Sequence, residues 1–285
     1  MGGLPYEGNK ADRREPFLHK ATRPPLMPQT RHNPDTKQRD NLIVKCHSLM
    51  IDSAEFLAPS RLIDAGHPDI VSTAARVTAG AADDVEQAVR LHDFVRDDIL
   101  FGWAPAFDAQ KASEVLRSRI GFCNTKSTLF VALLRATGIA ARLHFATINR
   151  RILDGLIRPP SEFVDHSYTE VLLGPRWIPL DSYTVDVPLH RAAIARCHDE
   201  RRTIGYGVHT AGTTRWDGRS ACFAQFVADG SVPDLSDEDF GTFVDPDAFR
   251  ATGRGRNPSN FMARLGVRWL VRGGNRRVRR LRASA

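Results

Sequence analysis

From Ala82 onward the apolar positions recur at helical spacing. Val85, Ala88, Val89, Val95 and Ile99 share one face with His92. Asp83, with Glu86 three residues later, forms a capping-box-like start, and Leu100-Phe101-Gly102-Trp103 followed by Pro105 ends the helix. The spacing predicts a second helix over residues 111–118. A third begins at or just after Cys123, carries Leu129, Phe130, Leu133 and Leu134, and has Gly138 as its C-cap. The period then shortens towards two. Residues 142–148 read as a strand followed by a loop through Pro159-Pro160, and residues 166–173 and 176–181 read as two strands joined at Gly174-Pro175. Helices first and antiparallel strands second predict an α+β domain.

The flanks lack this patterning. Residues 1–40 are rich in Pro, Arg, Asn, Asp and Gln, bury little apolar surface, and are expected to form a disordered arm. Met50 stands just ahead of the patterned sequence as an alternative start. The domain is therefore expected over residues 41–250 with its core at 81–185, and a basic C-terminal tail over 251–285. Hydrophobic residues make up 42% of the 285, as in an ordinary globular chain, and no apolar run reaches the ~18 residues of a membrane span. The first residues have no signal-peptide core, and Tyr6 stands where a myristoylation motif needs Ser or Thr. A cytoplasmic protein is expected. The formal charge of +7 is local: residues 266–285 hold seven arginines and no acid, which leaves the remainder neutral (7 − 7 = 0).

Four cysteines (Cys46, Cys123, Cys197, Cys222) are scattered without a C-x-x-C pair, which argues against a disulfide scaffold or structural zinc. Cys123 differs from the others in its setting. Ile120-Gly121-Phe122-Cys123-Asn124-Thr125-Lys126 runs a glycine turn into a helix, and a cysteine at a helix N-terminus feels the positive end of the dipole. Lys126, one turn on, is expected to add positive charge nearby. His166 and Asp181 follow in strands. If Leu173 faces Arg176 across the turn, Asp181 stands opposite Tyr168. His166 then becomes its diagonal neighbour, with Cα atoms about 7–8 Å apart. A one-residue slip in register would put the two on opposite faces.

Taken in order, these motifs resemble the transglutaminase-like superfamily, whose core is a papain-like cysteine-enzyme fold. The likeness rests on Gly121-Phe122-Cys123-Asn124-Thr125-Lys126-Ser127 opening an apolar helix and on Gly138-Ile139-Ala140-Ala141-Arg142 leading into a strand. It continues through His166-Ser167-Tyr168-Thr169-Glu170-Val171 and Trp177-Ile178-Pro179-Leu180-Asp181-Ser182. The resemblance implies N-terminal helices, with the cysteine at a helix start, packed on an antiparallel sheet. It implies Cys123 as nucleophile, His166 as general base and then acid, and Asp181 as the residue orienting His166. Two departures stand out: Tyr168 where relatives often have Trp, and Asn124 where many have an acid. The Cys123 backbone N–H is the oxyanion donor expected from the sequence.

The expected activity is hydrolysis or acyl transfer at an amide bond of a peptide or protein, through a thioester, with hydrolysis favoured over cross-linking. No cofactor and no metal is expected. The competing class is a non-catalytic module of the same fold that binds an anionic partner, nucleic acid or membrane surface, through the arginine-rich tail. Gly273-Gly274 is expected to interrupt any long helix there. The acidic segment from Asp234 to Phe240 lacks EF-hand spacing and reads as a solvated loop facing the arginine tail. His92, His144, His190, His198 and His209 have no partners at useful spacing and read as structural or exposed.

Overall fold

Local capping sets the ends of the first helices in this computed structural model, which describes residues 54–257 and 261–285. Helix α1 (Pro68–Thr78) starts on a proline, with His67 Nδ1 accepting the Asp69 N–H at 3.2 Å. Helix α2 (Asp84–Asp98) starts where Asp83 accepts the Glu86 N–H at 2.8 Å, and Glu86 in turn accepts the Ala82 N–H at 2.8 Å. The expected capping box is thus present, its return bond displaced by one residue. Strand β1 (Leu100–Phe101) pairs in parallel with β2 (Ile120–Gly121), and helix α3 (Ala112–Ser118) lies between them in sequence. The expected arm at 1–40, Cys46 and Met50 lie outside the described residues.

Helix α4 (Cys123–Ala136) is the centre of the core. Every residue from Asn124 to Arg135 is buried, so the helix is covered all round rather than on one stripe. It ends where Gly138 takes a left-handed conformation (φ +84°) and the Ile139 N–H reaches back to the Leu134 carbonyl. The chain continues into β3 (Ala141–Asn149), β4 (Phe163–Leu173) and β5 (Arg176–Leu180), then helix α5 (Val187–Asp199) and a short hairpin of β6 (Ile204–Gly205) and β7 (Val208–His209). Strand β8 (Asp239–Phe243) completes an antiparallel sheet of order β5-β4-β3-β8. The fold is α+β, as the sequence pattern predicts. Leu173 pairs with Arg176 across the Gly174-Pro175 turn, and the ladder runs on to Thr169 opposite Leu180, the register that the triad geometry requires.

Helices α6 (Pro246–Ala251) and α7 (Phe261–Arg282) close the chain. Here the structure differs from the expectation of a basic tail broken at Gly273-Gly274: α7 runs through both glycines. Its reason is contact. A Cβ on Gly274 would collide with Ile157 Cγ2 and approach Trp103 Cζ3 to 3.0 Å, so glycine is what lets α7 lie against these side chains. Asn275 accepts the Trp103 N–H at 3.0 Å and donates to its carbonyl at 2.8 Å. Arg282 forms a two-point pair with Asp186 at 2.8 and 2.7 Å, and Val278 is buried. Burial works against ionisation of Asp186, but Arg282 outweighs it and holds this carboxyl below its ordinary range.

The acidic segment is likewise engaged. Asp234 pairs with Arg151, Asp237 and Glu238 with Arg256, and Asp239 with His144. These side chains therefore meet Arg151, Arg256 and His144, because the segment lies beside β3. No helix among the described residues is long and apolar enough to cross a membrane.

Candidate active site

Cys123 is the first residue of α4, placed there by a tight approach. A Cβ on Gly121 would come within 2.9 Å of both Lys126 Cγ and Thr125 Oγ1, so the strand β2 turns into the helix only with glycine at that point. Thr125 Oγ1 then accepts the Phe122 N–H at 3.0 Å and fixes the first turn. Cys123 is half-buried, with Sγ 3.4 Å from Asn124 Oδ1. Asn124 presents a neutral group to the sulfur, where an acid would set a second negative charge beside a thiolate. Lys126, expected to lend charge to Cys123, instead points inward. It is fully buried and donates to the Arg96 carbonyl at 3.3 Å, where it caps the end of α2. Burial pushes its pKa down to about 7.

His166 and Asp181 come together as the register requires. His166 lies on β4 and Asp181 directly after β5, both fully buried, with His166 Nε2 3.2 Å from Asp181 Oδ2. The other ring nitrogen, Nδ1, is buried and makes no well-aligned hydrogen bond, which leaves it for the Cys123 sulfur. Burial by itself would lower the His166 pKa. The charge of Cys123 and hydrogen bonding to Asp181 and Cys123 outweigh it, and the pKa rises to about 9. All three residues expected from the sequence therefore meet at one point.

Several contributors to this site carry no sequence signal. Asp181 Oδ1 accepts the N–H groups of Ala224 at 2.6 Å and Gln225 at 3.2 Å, and Oδ2 accepts that of Phe226 at 2.9 Å. The Phe226 ring stacks on His166 at 5.6 Å between centroids. Tyr183 is fully buried, and its hydroxyl bonds to Ser127 on α4 at 2.8 Å and Thr169 on β4 at 2.7 Å. Ser127 also donates to the Ser167 carbonyl, so helix, sheet and the Asp181 segment are locked together.

Other histidines serve the framework. His92 is buried between Asp93 and Ser182, 2.8 Å from each. His144 has partners after all: Glu170 at 2.8 Å and Asp239 at 2.7 Å, with Tyr168 stacked on its ring. These partners come from neighbouring strands, which single-chain spacing does not reveal.

The Cys123 sulfur and the His166 ring open on an apolar chamber of about 110 Å³. A second, less apolar cavity of about 160 Å³ adjoins it, and Asp165 and Asn257 border both. Among the described residues, no group of three or more His, Cys, Asp and Glu side chains converges as metal ligands.

No curated protein matches the chain. A solved structure from Cytophaga hutchinsonii, described as that of a candidate cysteine protease, is similar at 24% identity with a TM-score of 0.39. That likeness covers 48% of this chain and 44% of the other, less than half the length of either. Residues 71–182 match the family model of the transglutaminase-like superfamily, a span that runs from α1 past Cys123 and His166 to Asp181. Over residues 71–182 the chain is thus similar to the transglutaminase-like core.

Proposed function

We propose that the protein is a cysteine enzyme of acyl transfer that hydrolyses an amide bond in a peptide or protein through Cys123, His166 and Asp181. The observation that carries this reading is the His166 ring. It is tied to Asp181 through Nε2, and its Nδ1 has the Cys123 sulfur as its charged neighbour. The Cys123 thiolate attacks the carbonyl carbon, and the C=O electron pair moves onto oxygen. Donors at the start of α4, the Cys123 N–H first among them, face the developing charge. The C–N bond then breaks, and the leaving amine takes the His166 proton. Water, deprotonated by the now neutral His166, releases the acid from the thioester. Asp181 holds the ring in one orientation through both halves.

Hydrolysis is favoured over cross-linking because the sequence itself identifies no second-substrate amine site, so water is taken as the acceptor. A cytoplasmic setting suits a nucleophilic thiol that must stay reduced, and neither Cys197 nor Cys222 forms a disulfide. The exposed Arg276, Arg279 and Arg280 on α7 support a second, compatible reading, contact with an anionic surface such as nucleic acid or membrane.

Mass spectrometry of the protein mixed with a peptide-amide library tests the reaction. An acyl adduct on Cys123, absent from Cys123→Ala, with free acid as product even when a primary amine is added, is the expected result. Amide product with the added amine would reassign the acceptor. Neither adduct nor turnover across the library would overturn the reading.

A further inference from the structure

We infer that the chamber beside Cys123 is an acyl-group pocket, and that the substrate carries a branched aliphatic group on the acyl side of the bond attacked. This rests on the acyl-transfer reading above and specifies its substrate class. The sheet supplies the floor. Val164 lies two residues from His166 on β4 and so shares its face, and Ile148 pairs with Val164 from β3. Phe107 and Phe122, stacked at 4.9 Å, form one wall. Trp103, Ile157 and Val271 of α7 line the chamber as well.

Size and polarity narrow the occupant. A dry apolar cavity of about 150 Å³ holds a benzene ring, so a chamber of about 110 Å³ matches a group the size of a leucine side chain. Asp165 stands at its border with the carboxylate held by the N–H groups of Arg256 and Asn257, each at 2.8 Å, and disfavours an acidic substituent. The Arg256 guanidinium is occupied by Asp237 and Glu238.

The order of events assigns the acyl side. The acyl group stays bonded to sulfur through the second half-reaction, whereas the leaving amine must depart once protonated. A walled apolar space suits the group that is retained. The adjoining cavity, less apolar and bordered by Asn124, Asp165 and Asn257, offers hydrogen-bonding partners to the amine and the incoming water.

Acylation by p-nitrophenyl esters tests this with one leaving group and varied acyl groups. In each, the Cys123 thiolate bonds to the ester carbonyl carbon, the C–O bond breaks, and p-nitrophenolate leaves with its electron pair. The 4-methylpentanoyl ester should acylate on the order of 10- to 100-fold faster than the acetyl ester, and the hemisuccinyl ester more slowly than either. Val164→Asp should bring the 4-methylpentanoyl to acetyl ratio towards one. Val164→Phe, which fills the space without adding charge, should lower it as well. Equal rates for the two neutral esters in the unaltered protein would overturn the inference. Binding to Cys123→Ala, followed by NMR, separates this failure from that of the catalytic reading. Chamber residues shifted by 4-methylpentanamide and not by acetamide support the pocket even if no ester acylates the protein. Equal, negligible shifts overturn the pocket whatever the reactivity of Cys123.

Discussion

At the residue scale, Asp181 shows how a buried carboxylate is made into a fixed support. Backbone N–H groups of Ala224, Gln225 and Phe226 and the His166 ring all donate to its two oxygens. With its rotamer fixed, the carboxylate sets the tilt of the imidazole and leaves Nδ1 for the sulfur. The pH dependence follows from His166. Its pKa, raised to about 9 by the Cys123 charge against burial, keeps the ring protonated through neutral pH, the state the proposed mechanism needs. We predict that kcat/KM falls about tenfold per pH unit above pH 9, because the leaving amine then lacks its donor. Stability follows the same sign. A histidine whose folded pKa exceeds the unfolded value of about 6.5 contributes fully below that value, and the contribution is lost as pH rises through about 9. Thermal melts of the unaltered protein and His166→Gln should therefore converge across that window. Parallel melting curves from pH 6 to 10 would contradict the assignment.

At the element scale, α7 carries the clearest reversal of a local rule. Glycine inside a helix costs about 1 kcal/mol relative to alanine, which is why Gly273-Gly274 reads as an interruption. Contacts decide otherwise. Gly274 meets Ile157 and Trp103, whereas a Cβ on Gly273 would meet only Arg277 Nη1 at 3.7 Å. Gly273→Ala should therefore stabilise the protein by up to ~1 kcal/mol. Gly274→Ala should destabilise it by about 1–3 kcal/mol through overpacking. Chemical denaturation of the two variants reads the difference, and matching shifts would show that α7 does not press on Trp103 and Ile157. The same reasoning marks what could be read in the sequence. Helices α2 to α4 and the β4–β5 register were legible because caps, periodicity and a two-residue turn are local. The seating of α7 on Trp103 joins residues 172 positions apart, and neither partner has a local signature.

At the scale of the whole molecule, the candidate site exists only when three parts meet: the start of α4, the middle of β4 and the end of β5. Order in the sequence and the Leu173–Arg176 pairing were enough to place Cys123, His166 and Asp181 together. The supports were not legible. Residues 224–226 act through backbone N–H groups 43 to 45 positions beyond Asp181, and backbone donors leave no side-chain pattern. Lys126 departs from the expectation because the direction of a side chain on a helix buried all round depends on its neighbours, and these put Nζ on the Arg96 carbonyl. The central claim is that this assembly makes Cys123 a nucleophile supported by His166. The most direct test is the rate of iodoacetamide labelling at pH 7, resolved at Cys123 by peptide mass spectrometry, in the unaltered protein and in His166→Ala. Labelling on the order of tenfold or more faster than a free thiol is expected, falling to the free-thiol rate in the variant. Labelling of Cys123 at the free-thiol rate in both proteins would contradict it.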